Sequence, residues 1–158
     1  VNDSIEPFIE YVQNNNKGLF VLVRTSNQGA RDFQYIRDKN NNALYEIVGE
    51  NLEKIAEKNL GKCGFSSVGA VVGCTNNEEG IILRNKIKSM FLLIPGYGVQ
   101  GGKAQDIVTY LINGNGAVVN SSRGIILAYK KEIDGEVNFA EYARKEVIRM
   151  RDEIRSFI

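Results

Sequence analysis

The 158-residue chain has no histidine and only two cysteines, Cys63 and Cys74. The His and Cys ligand clusters that usually hold zinc are therefore missing, and a metal centre of that kind is all but excluded. Two cysteines make no disulfide framework. Both flank a strand-like hydrophobic run, so the residues read as small, buried side chains, and reduced thiols fit a cytoplasmic protein. An excess of either charge is missing too: lysine plus arginine number 20, aspartate plus glutamate 19, and the net charge is +1. That balance predicts neither a nucleic-acid footprint nor attraction to an anionic membrane. Any anionic ligand must be held by a local site. No apolar run reaches the roughly 18 residues of a membrane span. The opening Val1-Asn2-Asp3-Ser4 has no basic region followed by an apolar stretch, so it is not a signal peptide. It also lacks an initiating Met, and the chain is expected to be the retained part of a longer polypeptide.

Four short apolar runs stand out, at 19–23, 68–72, 91–94 and 116–119. Their apolarity is continuous rather than alternating, which suggests parallel strands buried on both faces. The last three begin 23 and 25 residues apart, the rhythm of βα units. Between them lie helical patterns. Residues 4–13 read as a helix with a polar cap at its start and an Asn-rich stop after it. Leu44, Val48, Leu52 and Ile55 make an apolar stripe. Thr75 and Glu78 have capping-box spacing. Ala104, Ile107, Val108 and Leu111 line a fourth helix. Phe139, Tyr142, Val147, Met150, Ile154 and Phe157 stripe a last one, expected to close the domain against the sheet. Residues 28–43 form the one long loop, a mobile lid or a loose connection. Four βα units are half of a (β/α)₈ barrel, and 158 residues are short for the roughly 200 or more of a complete one.

Two loops carry chemistry. Ile94-Pro95-Gly96-Tyr97-Gly98-Val99-Gln100-Gly101-Gly102-Lys103 follows a strand and opens a helix. Its glycines let the backbone approach an anion closely, the helix start offers amides and a positive dipole end, and Gln100 can donate from its side chain. A plain βα turn is the alternative. Asn120-Ser121-Ser122-Arg123-Gly124-Ile125 also follows a strand, and the planar fork of Arg123 matches a phosphate. The loops after strands seven and eight commonly build the phosphate site of (β/α)₈ barrels. If these runs are those strands, both loops converge on one phosphate. A third segment, Arg24-Thr25-Ser26-Asn27, ends the first strong strand, where Ser26 faces a ligand edge or belongs to an ordinary polar turn. Lys103 and Asp106 read as a surface i,i+3 pair.

Taken together, LFVLVRTSN (19–27), SSVGAVVGCT (66–75), FLLIPGYGVQGG (91–102) and GAVVNSSRGI (116–125) resemble orotidine 5′-phosphate decarboxylase of the longer bacterial form, in order and from Leu19 onward. The resemblance implies an α/β fold, a TIM (β/α)₈ barrel of which this chain supplies roughly strands five to eight. Residues 1–158 would be its C-terminal half, with phosphate-binding loops at 95–103 and 120–125. It implies that Gln100 and Arg123 bind the phosphate with the backbone amides of Gly101, Gly102 and Gly124. Ser26 would hydrogen-bond the pyrimidine, and Pro95 would line the pocket near the reacting carbon. The implied reaction converts orotidine 5′-phosphate to uridine 5′-phosphate (UMP) in pyrimidine biosynthesis, without metal or organic cofactor, in a homodimer with no nucleic-acid or membrane partner.

The sequence departs from the family in two places. The family's Asp-x-Lys-x-x-Asp cluster, which supplies the proton donor, is absent, so no catalytic residue is assigned and the chain alone is expected to be inactive. Its partner would be the missing N-terminal half of the barrel. Val1-Asn2 is similar to the end of the family's fourth strand, but the loop expected after it is replaced by Asp3-Ser4-Ile5-Glu6-Pro7. Two other readings stand beside this one: a non-catalytic half-barrel that binds a sugar phosphate or nucleotide monophosphate, and a related barrel acting on sugar phosphates. An isolated half should expose an apolar barrel seam.

Overall fold

A computed structural model of the chain describes residues 1–74, 77–98 and 101–158. Its elements are α1 (Asn2–Asn14), β1 (Leu19–Arg24), α2 (Leu44–Ala56), β2 (Ser66–Val72), α3 (Asn77–Lys86), β3 (Met90–Pro95), α4 (Ala104–Val108), β4 (Ala117–Asn120), α5 (Ser122–Ile126) and α6 (Phe139–Arg155). The four strands form one parallel sheet in the order β1-β2-β3-β4. Consecutive parallel strands, each reached through a helical crossover, are the βα repeat expected from the spacing of the apolar runs.

Burial alternates along these strands. Val68, Ala70, Val72, Met90, Leu92 and Ile94 are fully buried, and they pack with Leu52, Leu83, Ile87, Ile107 and Tyr110 of the helical layer. Each large side chain buried there stabilises the fold by about 1.5–3 kcal/mol. The other face differs from the expectation of strands buried on both sides. Phe20, Leu22 and Val118 are exposed there, and Val71, Phe91 and Leu93 are half-buried. The register aligns Leu22 with Val71 and Leu93 with Val118, so this open face is continuous and apolar across the sheet. Apolar runs therefore hold the information that both faces avoid water, but among the described residues only one face has a covering layer.

Several local expectations shift. The first helix begins at Asn2 with Val1 as its cap residue, so Ser4 lies inside it and Val1-Asn2 opens a helix rather than ending a strand. On α2 the buried face runs through Tyr45, Gly49, Leu52 and Ala56, with Val48 and Ile55 at its margin and Leu44 exposed. Thr75, the proposed cap of α3, lies outside the described residues. Cys74 is buried but Cys63 is exposed, because it sits in the turn before β2 rather than in the strand.

The 28–43 segment carries regular local structure. It holds a 3-10 turn at Gln28–Asp32 and an antiparallel bridge between Arg37 and Ala43. Asp38 Oδ1 accepts the amides of Asn40 and Asn42 at the tip, which holds the Asp38 carboxyl below its ordinary pKa. Gln34 clamps the base: it accepts the Thr25 amide at 3.0 Å and donates to Thr25 Oγ1 at 2.9 Å.

The last helix also differs from expectation. Only Met150 is buried on α6, while Phe139, Val147 and Phe157 are exposed. Its neighbours are α4, α5 and the 3-10 turn Ala128–Lys131. It packs across the helices that follow β3 and β4 instead of on the sheet.

Candidate functional site

All four strands run the same way, so Arg24, Val72, Pro95 and Asn120 end on one edge. Parallel α/β sheets place ligands outside this carboxyl edge. Neighbouring strands lie about 4.8 Å apart, so the edge spans roughly 14 Å from β1 to β4.

At the β3–β4 end, Pro95, Gly96, Tyr97, Asn120, Ser121, Ser122, Arg123 and Gly124 line a cavity of about 80 Å³. One ordered water needs roughly 10–15 Å³ by this kind of measure, so the space suits a small anion or several waters. Pro95 pairs with Asn120 in register, which brings the two loops side by side. The Ser121 hydroxyl donates to the Tyr97 carbonyl at 3.0 Å and ties one loop to the other. Ser121 is the cap residue of α5, so Ser122, Arg123 and Gly124 carry the opening amides of that helix. The Arg123 side chain is exposed, and its guanidinium makes no hydrogen bond or ion pair among the described residues.

The glycine loop closes on itself. Gly96 and Gly98 have φ of 97° and 75°, a region that favours glycine. The Gly98 amide donates to the Gly102 carbonyl, that of Gly101 to Gly98, and that of Gly102 to Gly96. The Gly101 and Gly102 amides, expected to meet an anion, here donate within the loop. A Cβ on Gly102 would come within 2.3 Å of Cys74 Sγ, so close packing against β2 is what requires glycine there. Gln100 lies outside the described residues. Lys103 and Asp106 do not form the expected ion pair among the described residues. The Asp106 carboxylate instead accepts the Lys103 amide at 2.8 Å and caps α4.

At the β1 end, Arg24, Thr25, Ser26, Asn27, Gln28, Ala30, Arg31, Tyr35 and Glu79 surround a larger, polar cavity of about 440 Å³. Ser26 is on its wall. Sequence reading missed the group beneath it. Arg24 is almost fully buried and pairs with Glu79 at 2.5 Å; it donates to the Gly73 carbonyl at 2.8 Å and to the Tyr35 hydroxyl at 3.3 Å. Tyr35 donates in turn to Glu79 at 2.8 Å, and the buried Tyr110 hydroxyl donates to Gly73 at 3.2 Å. Burial works to lower the Arg24 pKa, but the Tyr35 hydrogen bond and the Glu79 charge outweigh it and leave the guanidinium above its ordinary value. This cluster ties the end of β1, two residues from Ser26, to Gly73, just past β2. Its one signal in the sequence is an arginine at the end of an otherwise apolar strand. Cys74 borders the site, but burial pushes its thiol up to about 11, away from nucleophilic use.

The sites at the two ends therefore share an edge but not a cavity: Pro95, Arg123 and Gly124 meet at one end, and Ser26 stands at the other.

Comparison with known proteins points the same way for the chain as a whole. The family model "Orotidine 5′-phosphate decarboxylase / HUMPS family" matches residues 2–136. Orotidine 5′-phosphate decarboxylases of Clostridium kluyveri and Clostridium tetani are 60% and 59% identical to it over 152 residues, 96% of this chain and 52% of theirs. The chain thus spans about half the length of the curated relatives it matches. Among solved structures, Leishmania donovani OMP decarboxylase aligns with a TM-score of 0.68 at 27% identity, covering 96% of this chain and 53% of that one. Leishmania donovani UMP synthase aligns with a TM-score of 0.67 at 29% identity, covering 95% of this chain and 31% of that one. A four-stranded parallel sheet covering half of such chains is a half-barrel.

Proposed function

The chain belongs to the orotidine 5′-phosphate decarboxylase / HUMPS family, and on that premise we propose that it forms the phosphate- and pyrimidine-binding half of an enzyme converting orotidine 5′-phosphate to UMP. The observation that carries this reading is the cavity where Arg123 and Gly124 meet Pro95 at the carboxyl edge of the sheet. There an uncommitted guanidinium stands at the cavity wall, and its planar fork suits a phosphate. Gln100 joins Arg123 in this reading through its place in the glycine loop. Ser26, at the far end of the same edge, takes the pyrimidine, with Pro95 between them near the reacting carbon. The roughly 14 Å edge is long enough to separate a phosphate from a base.

In the reaction, the bond from the ring carbon to the carboxylate breaks. CO₂ leaves, the electron pair stays on the ring carbon, and a proton takes the vacated position. The Asp/Lys cluster implied for proton delivery is absent from this sequence, so those groups come from the other half of the barrel. The residues of this chain act at a distance. Phosphate binding energy, gained remote from the breaking bond, holds the site closed and offsets distortion at the ring, which raises turnover as well as affinity. The open apolar face of the sheet, with Phe20, Leu22 and Val118, becomes barrel interior when the other half covers it. The same reading includes a homodimer and a cytoplasmic place, to be checked by sedimentation and by fractionation.

UMP formation from orotidine 5′-phosphate tests the proposal. The complete polypeptide is expected to turn over. The 158-residue chain by itself is expected to bind UMP without catalysis. Binding of UMP by the complete polypeptide with no turnover would instead support a non-catalytic nucleotide-binding half-barrel.

A further inference from the structure

Tyr97 stands between two glycines in left-handed backbone, where nothing in the chain's own stiffness fixes its direction. Yet its side chain is almost entirely buried. Its hydroxyl donates to Glu153 Oε2 of α6 at 2.6 Å. The same carboxylate oxygen accepts from Arg149 Nη1 at 2.7 Å, and Arg149 is held from behind by Glu146 through Nε at 2.9 Å and Nη2 at 2.7 Å. The hydrogen bond from Tyr97 holds the Glu153 carboxyl below its usual pKa, and burial together with Glu153 pushes the Tyr97 hydroxyl up to about 12. At neutral pH the link is therefore a neutral phenol donating to a carboxylate, the stronger class of hydrogen bond. The other end of Tyr97, its carbonyl, accepts from the hydroxyl of Ser121, the residue just before the short helix carrying Arg123. One residue thus joins three elements: the glycine loop, the helix of Arg123, and α6.

We propose that Glu153, backed by Arg149 and Glu146, is a positioning residue for the phosphate site, acting through Tyr97 to hold the glycine loop against the α5 start. Glu153 makes this contact where α6 packs across α4 and α5, from a helix whose Met150 is buried and whose Ile154 packs against the core. The family match ends at residue 136, so α6 lies beyond it. The inference rests on the proposed phosphate site, and its consequence is specific. Loosening the peg should weaken the grip on phosphate and leave the remainder of the substrate's contacts unchanged.

The test uses the complete polypeptide with two substrates, orotidine 5′-phosphate and orotidine, which lacks the phosphate. Tyr97→Phe and Glu153→Ala are each expected to raise KM for orotidine 5′-phosphate roughly tenfold, and Glu153→Ala, outside the cavity, is expected to leave kcat/KM for orotidine unchanged. Glu153→Gln keeps an acceptor for the phenol and should recover most of the loss. The double variant should be no worse than either single one, since both remove one contact. Equal losses on both substrates, or no loss on either, would overturn the inference, and so would failure of Glu153→Gln to recover more than Glu153→Ala. If Glu153→Ala does not fold, Tyr97→Phe and Glu153→Gln carry the same decision. An unmutated protein that does not decarboxylate orotidine 5′-phosphate is a failure of the functional proposal instead; titration of the same variants with UMP then decides whether the peg serves a phosphate site.

Discussion

Two arginines mark opposite edges of the same sheet and are treated in opposite ways. Arg84 lies buried at the amino edge, where Nη1 donates to the carbonyls of Ile87 and Met90 at 3.1 and 2.8 Å and the guanidinium lies 5.7 Å from the Phe65 ring centroid. Its Nε and Nη2 have no partner among the described residues, and burial pushes its pKa down to about 10. Nearby, Glu53 accepts the Ser89 amide at 2.7 Å, and Phe65 meets Phe91 edge to face. The polar groups there serve to close backbone ends. Arg123, at the carboxyl edge, is exposed and uncommitted beside a cavity. The difference shows how one sheet divides its labour: charge consumed inside the protein stabilises the frame, and charge left over is available to a ligand. Arg24 is the intermediate case. It stands at the carboxyl edge but is consumed by Glu79, Tyr35 and Gly73, which makes it a foundation for the site rather than a contact within it.

The contrast can be broken most severely at that foundation. Glu79→Ala leaves the buried Arg24 charge uncompensated and is expected to cost about 3–5 kcal/mol of stability, read by denaturant unfolding. A loss below about 1 kcal/mol would show that the pair is not structural. The next effect is expected at Arg123. In the complete polypeptide, Arg123→Ala should lower kcat/KM for orotidine 5′-phosphate by about 10²-fold, roughly 3 kcal/mol for a charged, bidentate contact, with stability changed by no more than about 0.5 kcal/mol. The reverse pattern belongs to Arg84. Arg84→Ala should destabilise by about 2–3 kcal/mol through unpaired carbonyls and a cavity, while the folded fraction keeps its kcat/KM. Arg84→Met, which refills the space without a buried charge, should cost less than Arg84→Ala.

A smaller effect is expected with pH. Burial raises Tyr45 and Tyr110 to about 12. A group whose folded pKa is raised keeps its full contribution below its unfolded value, near 10, and loses it as pH rises to the folded value. The Tm should therefore decline between about pH 10 and 12, and Tyr110→Phe should make that decline shallower. The smallest effect is expected at Cys63, where exposure predicts rapid thiol labelling and a Cys63→Ser stability change within about 0.5 kcal/mol. Cys74 should react only on unfolding.

The frame was more legible in the sequence than the site. Four apolar runs and their spacing give the strands to within two residues at each end, because burial on a parallel sheet leaves a dense local signal. Helix faces were harder: the α2 stripe is displaced by about one residue because Tyr45, Gly49 and Ala56 pack inward beside Leu52. The failure at α6 has a different cause. Its apolar residues have helical spacing, but spacing does not say what a face packs against, and Met150 alone is buried. At the carboxyl edge, Arg123 and Pro95 stand out in the sequence because each ends a strand or lies in the loop directly after one, and the structure places both on one cavity. The pairing of Tyr97 with Glu153 joins residues 56 positions apart, and that of Arg24 with Glu79 joins residues far apart in the chain, so neither has a local signature. A glycine loop shows which backbone shapes are available, not where its amides point, so the loop-internal bonds of Gly101 and Gly102 have no local signature either.

A crystal structure of the complete polypeptide with UMP decides whether the guanidinium of Arg123 grips a nucleotide phosphate at the carboxyl edge of the sheet. Phosphate oxygens are expected about 3 Å from the Arg123 guanidinium and the Gln100 side-chain amide, with the uracil directed toward Ser26. A phosphate bound elsewhere, with Arg123 still in solvent, would contradict that expectation.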